Sequence, residues 1–445
     1  MRKKHILQRS IFEFYCEHES GQQLKSISAK LDAHPKILDL ASEALISPKT
    51  KSTGRCGLSV DSTVRAALLK QMMGLTYNDL SFYLADSLSY RSFTRVENEP
   101  SSSSLQSCIS KLDDETWEKI NHLLLADAAQ RRIEKGRMVR IDSTVTETNI
   151  HAPTDSSLLW DCVRVMVSQL TRVKGMLKLG CFDFCNHSRA AKKRMRNITY
   201  ARGANKTKLY KELLHYTQQT KAYLALAISL TEHVQDVMFF PLLQLDAERL
   251  ICLTEQVISQ TERRVLQGKK VPHEEKVFSI FETHTDIVIK GARDIQYGHK
   301  LNLATGKSGL VLDVVIEQGN PADTARLRPM VERQLKIYGR VPRQIAVDGG
   351  YASIDNLEKV KAMGVKDAAF HKKRGLKIED MVKSNWVYKK LRNFRAGVEG
   401  NISCLKRRYG LSRCTWRGLE KFKAYIWSST VAYNLMLLAR LETTG

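Results

Sequence analysis

The hydrophobic periodicity of this chain changes character twice, and this constrains its fold more than any other feature. Residues 138–153 (MVRIDSTVTETNIHAP) alternate and are rich in Val, Ile and Thr, which predicts a strand pair with Asp142 at the end of its first strand. Almost all residues from about 170 to 267 then show helical spacing. Strand patterns return from 278 to 317, with turns predicted at Gly298 and at Gly306–Gly309.

This order of elements predicts an α/β fold: a mixed-sheet domain interrupted by an all-α insertion and preceded by a helical N-terminal domain. The later segment RQIAVDGGYAS has the form of a buried strand that ends in a carboxylate and two glycines. The predicted boundaries are a basic helical segment and linker at 1–57, a helical DNA-binding domain at 58–135, the first part of the sheet domain at 136–170, the helical insertion at 171–275, the second part of the sheet domain at 276–425 and a C-terminal helix at 426–445.

Residues 58–95 carry a helix, a glycine and a second helix. The first helix is predicted from apolar residues at helical spacing, and Gly74 ends it. Thr76 and Asn78 offer capping oxygens to the second helix. The pattern fits a helix-turn-helix, although a plain helical hairpin produces the same spacing and is common in bundles.

Charge restricts the class of partner. The 445 residues include 71 Lys and Arg against 47 Asp and Glu, a formal net charge of +24. A protein this basic usually binds a polyanion, and nucleic acid is the leading candidate. An acidic membrane surface is the rival, but the sequence lacks a basic amphipathic helix with an aromatic face.

The sequence also predicts a cytosolic protein. It shows neither a signal peptide nor a membrane span, and an odd count of nine cysteines without a CxxC pair needs no disulfide. Cys181, Cys185 and His187 suggest a zinc site, but the absence of a fourth ligand favours ordinary structural roles.

Two aspartates stand at the ends of predicted core strands: Asp142 in RIDST and Asp348 in AVDGG. Carboxylates at such strand ends open into the crevice where α/β proteins bind ligands, and a divalent metal offsets the cost of their charge. Gly349–Gly350 would leave room for a phosphate backbone. The alternative for either aspartate alone is a strand end that simply meets solvent.

The third element is NFRAGVEGNISCLKRRYGL, residues 393–411. On a helix, Arg395, Glu399 and Lys406 share one face, which suits a metal and the phosphates that it binds. An ordinary i,i+4 salt bridge is the alternative. Against it stand three flanking cations without acidic neighbours: Arg392, Arg407 and Arg408.

The arrangement of Asp142, Asp348 and Glu399, the last in R-x3-E-x6-K, resembles the DDE transposases of bacterial insertion sequences, in the group whose RNase H-like domain is split before the second aspartate. The segments DSTVTETNIHAPTDSSLL, YGHKLNL, EQGNPADT and VDGGYAS also resemble that group, as does the helical region from Leu58 to Phe93. One departure is Arg392, which stands where the family signature often has tyrosine.

The resemblance implies an RNase H-like enzyme that cleaves and transfers DNA strands with two Mg²⁺ ions, for which Mn²⁺ can substitute. Asp142 would bridge both ions, while Asp348 and Glu399 would each hold one. The partners would be the terminal inverted repeats and target DNA, bound by a homodimer or higher oligomer in the bacterial nucleoid. The predicted DNA contacts are Arg395, Lys406, Arg392, Arg407, Arg408, Lys300 and Trp416.

Charge placement agrees with DNA binding independently of the resemblance. Residues 366–423 contain 17 Lys and Arg against 5 Asp and Glu, and they surround Glu399. Trp386, Trp416 and Tyr409 could stack on an unpaired base, although core packing is more common for any one aromatic. Two other functions remain open: an RNase H-like nuclease or resolvase without strand transfer, and a domesticated DNA-binding protein without catalysis.

Overall fold

The chain is described from a computed structural model that covers residue 4 and residues 14–46, 57–177, 182–231, 240–290, 294–372 and 374–443. It folds into two compact units. One comprises Met1–Asn149 with Asp286–Gly445, and the other comprises Ile150–Thr285. The second unit is therefore inserted in sequence between the two halves of the first. In the described ranges, no helix is long and apolar enough to cross a membrane.

The described N-terminal part is helical. Its helices are α1 (Glu19–Ala33), α2 (Lys36–Leu45), α3 (Val60–Met73), α4 (Tyr77–Asp86), α5 (Leu88–Thr94), α6 (Ser102–Ile109) and α7 (Asp114–Gln130). The buried helix α3 begins at the Ser59 cap and ends at Gly74, whose φ of 64° suits glycine. The predicted helix–glycine–helix is thus present, but Thr76 caps α4 together with Asp79 rather than with Asn78.

A charge network centred on the buried Arg65 joins three of these helices. The side chain of Arg65, 1% exposed, donates to Asp61 at 2.5 Å and to Asp32 at 2.9 Å. Arg95 binds the same two carboxylates, at 3.0 Å and 2.7 Å. Two cations and two anions therefore neutralise one another at the junction of α1, α3 and the end of α5.

The remaining elements follow in chain order. Strand β1 (Met138–Glu147) leads into the inserted unit, which contains α8 (Asp155–Leu177), α9 (Ser188–Tyr200), α10 (Gly203–Thr231) and α11 (Phe240–Thr261). Then come β2 (Asp286–Lys290), β3 (Asp294–Gly306), β4 (Val311–Ile316), α12 (Leu327–Tyr338), β5 (Gln344–Val347), α13 (Ile354–Ala362), β6 (Asp367–Phe370), α14 (Ile378–Met381), α15 (Asn385–Arg408) and α16 (Leu419–Thr443).

The strands form one mixed sheet in the described residues, in the order β2-β3-β1-β5-β6, with β4 beside β3. Strands β2, β3, β4 and β1 pair antiparallel, whereas β1, β5 and β6 are parallel. This confirms the predicted α/β class with helical additions, consistent with an RNase H-like domain. The inserted unit extends beyond the predicted insertion of 171–275 at both ends, because α8 packs with α10 and α11.

Two local predictions in the sheet were wrong. The expected strand pair at 138–153 is the single strand β1, which continues five residues past Asp142 because β3 pairs with it as far as Glu147. Gly298 lies inside β3 rather than in a turn. A Cβ on Gly298 would stand 2.0 Å from the Thr146 carbonyl oxygen, so the glycine is needed for close strand approach. The predicted turn at Gly306–Gly309 does join β3 to β4.

Arg140 fixes helix α15 onto the sheet. It is buried on β1, and its guanidinium donates to the Phe394 carbonyl at 2.8 Å, to Asn401 Oδ1 at 2.9 Å and to Thr305 Oγ1 at 2.8 Å. Two of these acceptors lie on α15, on either side of Gly397, where a Cβ would stand 2.3 Å from Arg140 Nη1. The helix can approach β1 this closely because position 397 has no side chain.

Gly397→Ala should therefore destabilise the protein although alanine favours helices. The new methyl would displace Nη1 from the Phe394 carbonyl, and losing a charge-assisted hydrogen bond costs about 1.5–3 kcal/mol against a propensity gain of about 1 kcal/mol. Gly400→Ala, one turn along the same helix with open space at its Cβ position, should stabilise by up to about 1 kcal/mol. Urea denaturation of both variants measures this, and equal changes in the free energy of unfolding would contradict the close fit.

Arg65→Met should also destabilise the protein, by about 3–5 kcal/mol, because it leaves Asp61 with less compensation for its buried charge. Lys119→Ala removes an exposed ion pair with Glu115 and serves as the control, for which the midpoint of urea denaturation should barely change. A wild-type midpoint for Arg65→Met would show that the network contributes no net stability.

Candidate active site

Sheet register brings the two predicted aspartates together. Parallel pairing of β1 with β5 ends at Ile141 and Val347, so the next residues in each strand, Asp142 and Asp348, stand side by side. On its other side β1 remains paired, with Asp142 opposite Leu303. The Ser143 backbone N–H donates to Asp142 Oδ1 at 2.8 Å, which fixes that carboxylate. The site therefore lies where the parallel half of the sheet ends and the antiparallel half continues.

One guanidinium joins the three predicted carboxylates. Arg395 Nη2 lies 2.9 Å from Asp142 Oδ2 and 3.5 Å from Asp348 Oδ1, while Nη1 lies 3.3 Å from Glu399 Oε1. These groups come from β1, from the end of β5 and from α15. The structure thus brings Asp142, Asp348, Glu399 and Arg395 together, and the predicted helix face of Arg395 and Glu399 is the one that meets the sheet.

Exposure increases across this cluster. The side chains of Asp142 and Arg395 are each 13% exposed, Asp348 is 39% exposed and Glu399 is 71% exposed. Three carboxylates around one guanidinium leave an excess of negative charge, in a segment that is otherwise strongly basic. The cluster is therefore closed at Asp142 and open to a solvent-borne cation or phosphate at Glu399.

A buried polar layer lies beside Asp142. The Tyr351 hydroxyl donates to Asn302 Oδ1 at 2.7 Å, and Asn302 Nδ2 donates to Glu317 at 2.7 Å. Burial and the charges of Asp323, Asp142 and Asp348 raise the pKa of Tyr351 well above its ordinary value, so this hydroxyl stays protonated. Residues of YGHKLNL, EQGNPADT and VDGGYAS meet in this layer, which accounts for three of the segments on which the family resemblance rested.

Lys300 belongs to the same interior, and its predicted DNA contact is corrected. It is 6% exposed and its Nζ binds Asp323 at 2.6 Å and the Pro321 carbonyl at 2.8 Å. The space beside Gly349 and Gly350, which was predicted to admit a phosphate backbone, is filled by side chains of the protein. A Cβ on Gly350 would stand 2.6 Å from Asp323 Oδ2, and one on Gly349 would stand 2.6 Å from Lys372 Cβ.

Trp416 was also predicted to contact DNA, and this too is corrected. It is 8% exposed, packs edge-on against Tyr425 at 5.6 Å and stands 5.9 Å from the buried Lys70 ammonium. Burial lowers the pKa of Lys70 to about 8. Tyr409 is buried as well, whereas Trp386, in the first turn of α15, is 68% exposed. Of the three aromatic candidates, Trp386 alone presents its ring to solvent.

The remaining predicted cations lie along α15. Lys406 follows Glu399 by seven residues, about 10.5 Å along the helix axis, and its side chain is half-buried. Arg392, Arg407 and Arg408 are exposed. The three exposed arginines form a basic surface along α15, the helix that carries Glu399.

Sequence reasoning missed four residues at this site. Arg140 and Asn401 hold α15 against the sheet, and Lys372, an exposed residue, packs its side-chain carbons over Gly349. His371 lies beside Asp348. Its backbone N–H donates to the Val347 carbonyl and extends the β5–β6 pairing by one residue. The one available signal was Arg140, a cation two residues before Asp142 and thus on the same face of an otherwise apolar strand.

The donor set fits magnesium by its chemistry. Three carboxylates from three elements supply the oxygen ligands that Mg²⁺ prefers. In the described ranges, no group of three or more His, Cys, Asp or Glu side chains is already arranged around a common metal position. At this site the reason is visible, since the Arg395 guanidinium occupies the centre. Cys181 of the suggested zinc site lies outside the described residues.

Comparison with known proteins agrees with this geometry. Residues 281–435, about a third of the chain, match the model of the transposase DDE domain family, and the matched range contains Asp348 and Glu399. No curated protein and no solved structure matches the chain. The matched residues include strands β2 to β6 and α15, whereas β1, which carries Asp142, lies outside the matched range. The family match and the cluster together identify residues 281–435 as a region similar to the transposase DDE domain.

Proposed function

We propose that this protein cleaves DNA at the ends of a bacterial insertion sequence and transfers the cut strand, with Asp142, Asp348 and Glu399 as its catalytic carboxylates. The observation that carries the proposal is their meeting at Arg395 from three separate elements. Its substrates are terminal inverted repeats and target DNA, which it binds as a homodimer or higher oligomer. Because it would act on the bacterial chromosome, the protein would work in the cytoplasm, at the nucleoid.

The three carboxylates, Asp142, Asp348 and Glu399, would hold two divalent ions, Mg²⁺ or Mn²⁺. Such ions stabilise the charge that develops on a phosphoryl group and lower the pKa of an attacking water. The protein supplies orientation, since β-sheet pairing fixes both aspartates and Arg140 fixes the helix that carries Glu399. Arg395 and the exposed Lys372 would bind phosphate oxygens beside the scissile bond.

The surroundings of the cluster support a DNA substrate. Exposed cations lie between Asp348 and Glu399 in the sequence and just after Glu399, among them Lys372, Lys383, Lys389, Arg392 and Arg407. Such cations bind the phosphate backbone without reading its sequence. Trp386 is exposed on α15, with the Lys390 ammonium 5.2 Å from its ring centroid, and would stack on an unpaired base. Sequence-specific recognition of the ends would belong to the α3–Gly74–α4 region.

Substituting any catalytic carboxylate should abolish cleavage and leave DNA binding intact. We expect Asp142→Asn, Asp348→Asn and Glu399→Gln each to reduce single-turnover cleavage of an end substrate by at least about 10³-fold, since each removes a charged ligand. Asp355→Asn is the matched control, an exposed aspartate that follows Asp348 by seven residues and pairs with Lys359.

The same experiment separates the alternative functions. Cleavage without joining in the presence of target DNA would indicate a nuclease or resolvase. End binding without cleavage by the unsubstituted protein would indicate a regulatory DNA-binding protein. Wild-type cleavage by any of the three carboxylate variants would remove that residue from the active site.

Arg395 should compete with divalent metal for the carboxylates. In Arg395→Ala the cluster loses its internal cation, so Mg²⁺ should raise the melting temperature of the variant more than that of the wild-type protein. Arg392→Ala removes an exposed cation three residues earlier on the same helix and should respond as the wild type does. Thermal unfolding with Mg²⁺ and with EDTA measures both. Equal Mg²⁺ shifts in all three proteins would show that the metal does not replace this guanidinium.

A further inference from the structure

The inserted unit, Ile150–Thr285, has a strongly uneven charge distribution. It contains 20 Lys and Arg against 13 Asp and Glu. Nine of those basic residues, and no acidic residue, lie between 188 and 211, which spans α9 and the first turns of α10. In the rest of the unit the 13 acidic residues outnumber the 11 basic ones. The whole positive excess of this unit is therefore concentrated in one short segment.

The cations of α9 divide into two groups. Lys192 stands 5.6 Å from the Trp160 ring, and Arg194 binds Glu212 at 2.5 Å, so both take part in packing within the unit. Arg189, Lys193 and Arg196 are exposed, and no hydrogen bond or ion pair engages their side chains in the part of the chain that the structure describes. These three are named here the α9 stripe.

Helical geometry aligns the α9 stripe. Its three residues lie at i, i+4 and i+7, within about 60° of one another around the axis and about 10.5 Å along it. Tyr200, one further turn along the same line, is 86% exposed. The opposite face carries Ala191 and Ile198, which are 0% and 2% exposed in the core of the unit. The stripe thus faces solvent on a helix whose other side is anchored.

We propose that the α9 stripe binds the phosphate backbone of double-stranded DNA and gives the inserted unit its own contact with the substrate. Three unpaired cations at this spacing suit a polyanion with one charge per about 1.7 Å of helix axis. Tyr200 adds an aromatic ring that can pack on a sugar. Because Ala191 and Ile198 of α9 are buried in the protein, the helix does not present an apolar face to a lipid bilayer.

This inference takes DNA as the partner from the proposed function, but it does not depend on catalysis. The test compares two triple variants of the full chain that lose the same charge. The first is Arg189→Gln/Lys193→Gln/Arg196→Gln. The second, a matched control, is Arg172→Gln/Lys269→Gln/Lys270→Gln, which neutralises three exposed cations of the same unit that likewise make no side-chain contacts in the described residues.

Binding to a short duplex is measured by fluorescence anisotropy in EDTA over a series of KCl concentrations. We expect the stripe variant to bind roughly ten- to a hundredfold more weakly at moderate salt, with the slope of log K against log [KCl] reduced by about two to three. The control should retain the wild-type slope. Thermal unfolding should be unchanged in both variants, and Arg196→Glu alone should weaken binding in the same direction.

Three results would overturn the proposal: unchanged duplex affinity in the stripe variant, an equal loss in the control variant, or selective loss of binding to phosphatidylserine vesicles with duplex affinity retained. Since the assay contains no divalent metal, weaker duplex binding would support the α9 stripe even if the carboxylate site proved inactive. Conversely, an active carboxylate site with unchanged binding would refute the stripe alone.

Discussion

The site depends on one electrostatic interaction, the Arg395 guanidinium shared by Asp142, Asp348 and Glu399. Three carboxylates that converge without a cation would repel one another, and at 13% exposure Asp142 would carry a desolvation cost as well. Arg395 offsets that cost and keeps the acids assembled. Because it contributes a single charge, the cluster remains negative and can still attract divalent cations.

A second cation, Arg140, holds the helix that carries Arg395 against the sheet. Arg140 stands two residues before Asp142 on the same face of β1, so the strand that supplies one carboxylate also anchors the helix that supplies another. The Phe394 carbonyl that Arg140 binds immediately precedes Arg395. Gly397 provides the space for this contact. Two alternate residues of β1 therefore have linked roles: Arg140 positions α15, and Asp142 supplies a carboxylate to the cluster at that helix.

The sequence was sufficient for features that follow from local periodicity. Alternation indicated strand structure near residue 138, although as a pair rather than as the single strand β1. Helical spacing placed Arg395 and Glu399 on one face, and the glycine after Met73 ended α3. It could not show that β1 and β5 stop pairing just before Asp142 and Asp348, because register is a property of two distant segments.

Where sequence reasoning failed, long-range packing was responsible. Lys300 and Trp416 are residue types that often contact DNA. In the fold, however, Asp323 neutralises Lys300, and Trp416 is buried against Tyr425 and Lys70. Gly298 was predicted to lie in a turn because glycine is common in turns. The contact that requires glycine there is with Thr146, on a strand more than 150 positions away in the sequence, and local sequence does not show it. The roles of Arg140 and Gly397 likewise required the tertiary contact between β1 and α15.

The central claim is that these carboxylates form one metal-dependent centre. The most direct test is a crystal structure from crystals grown with Mn²⁺, with anomalous diffraction recorded at the manganese absorption edge. Our account predicts anomalous density bounded by Asp142 and Asp348, with the Arg395 guanidinium withdrawn from Asp142. Manganese bound only elsewhere, with Arg395 still joining all three carboxylates, would contradict it.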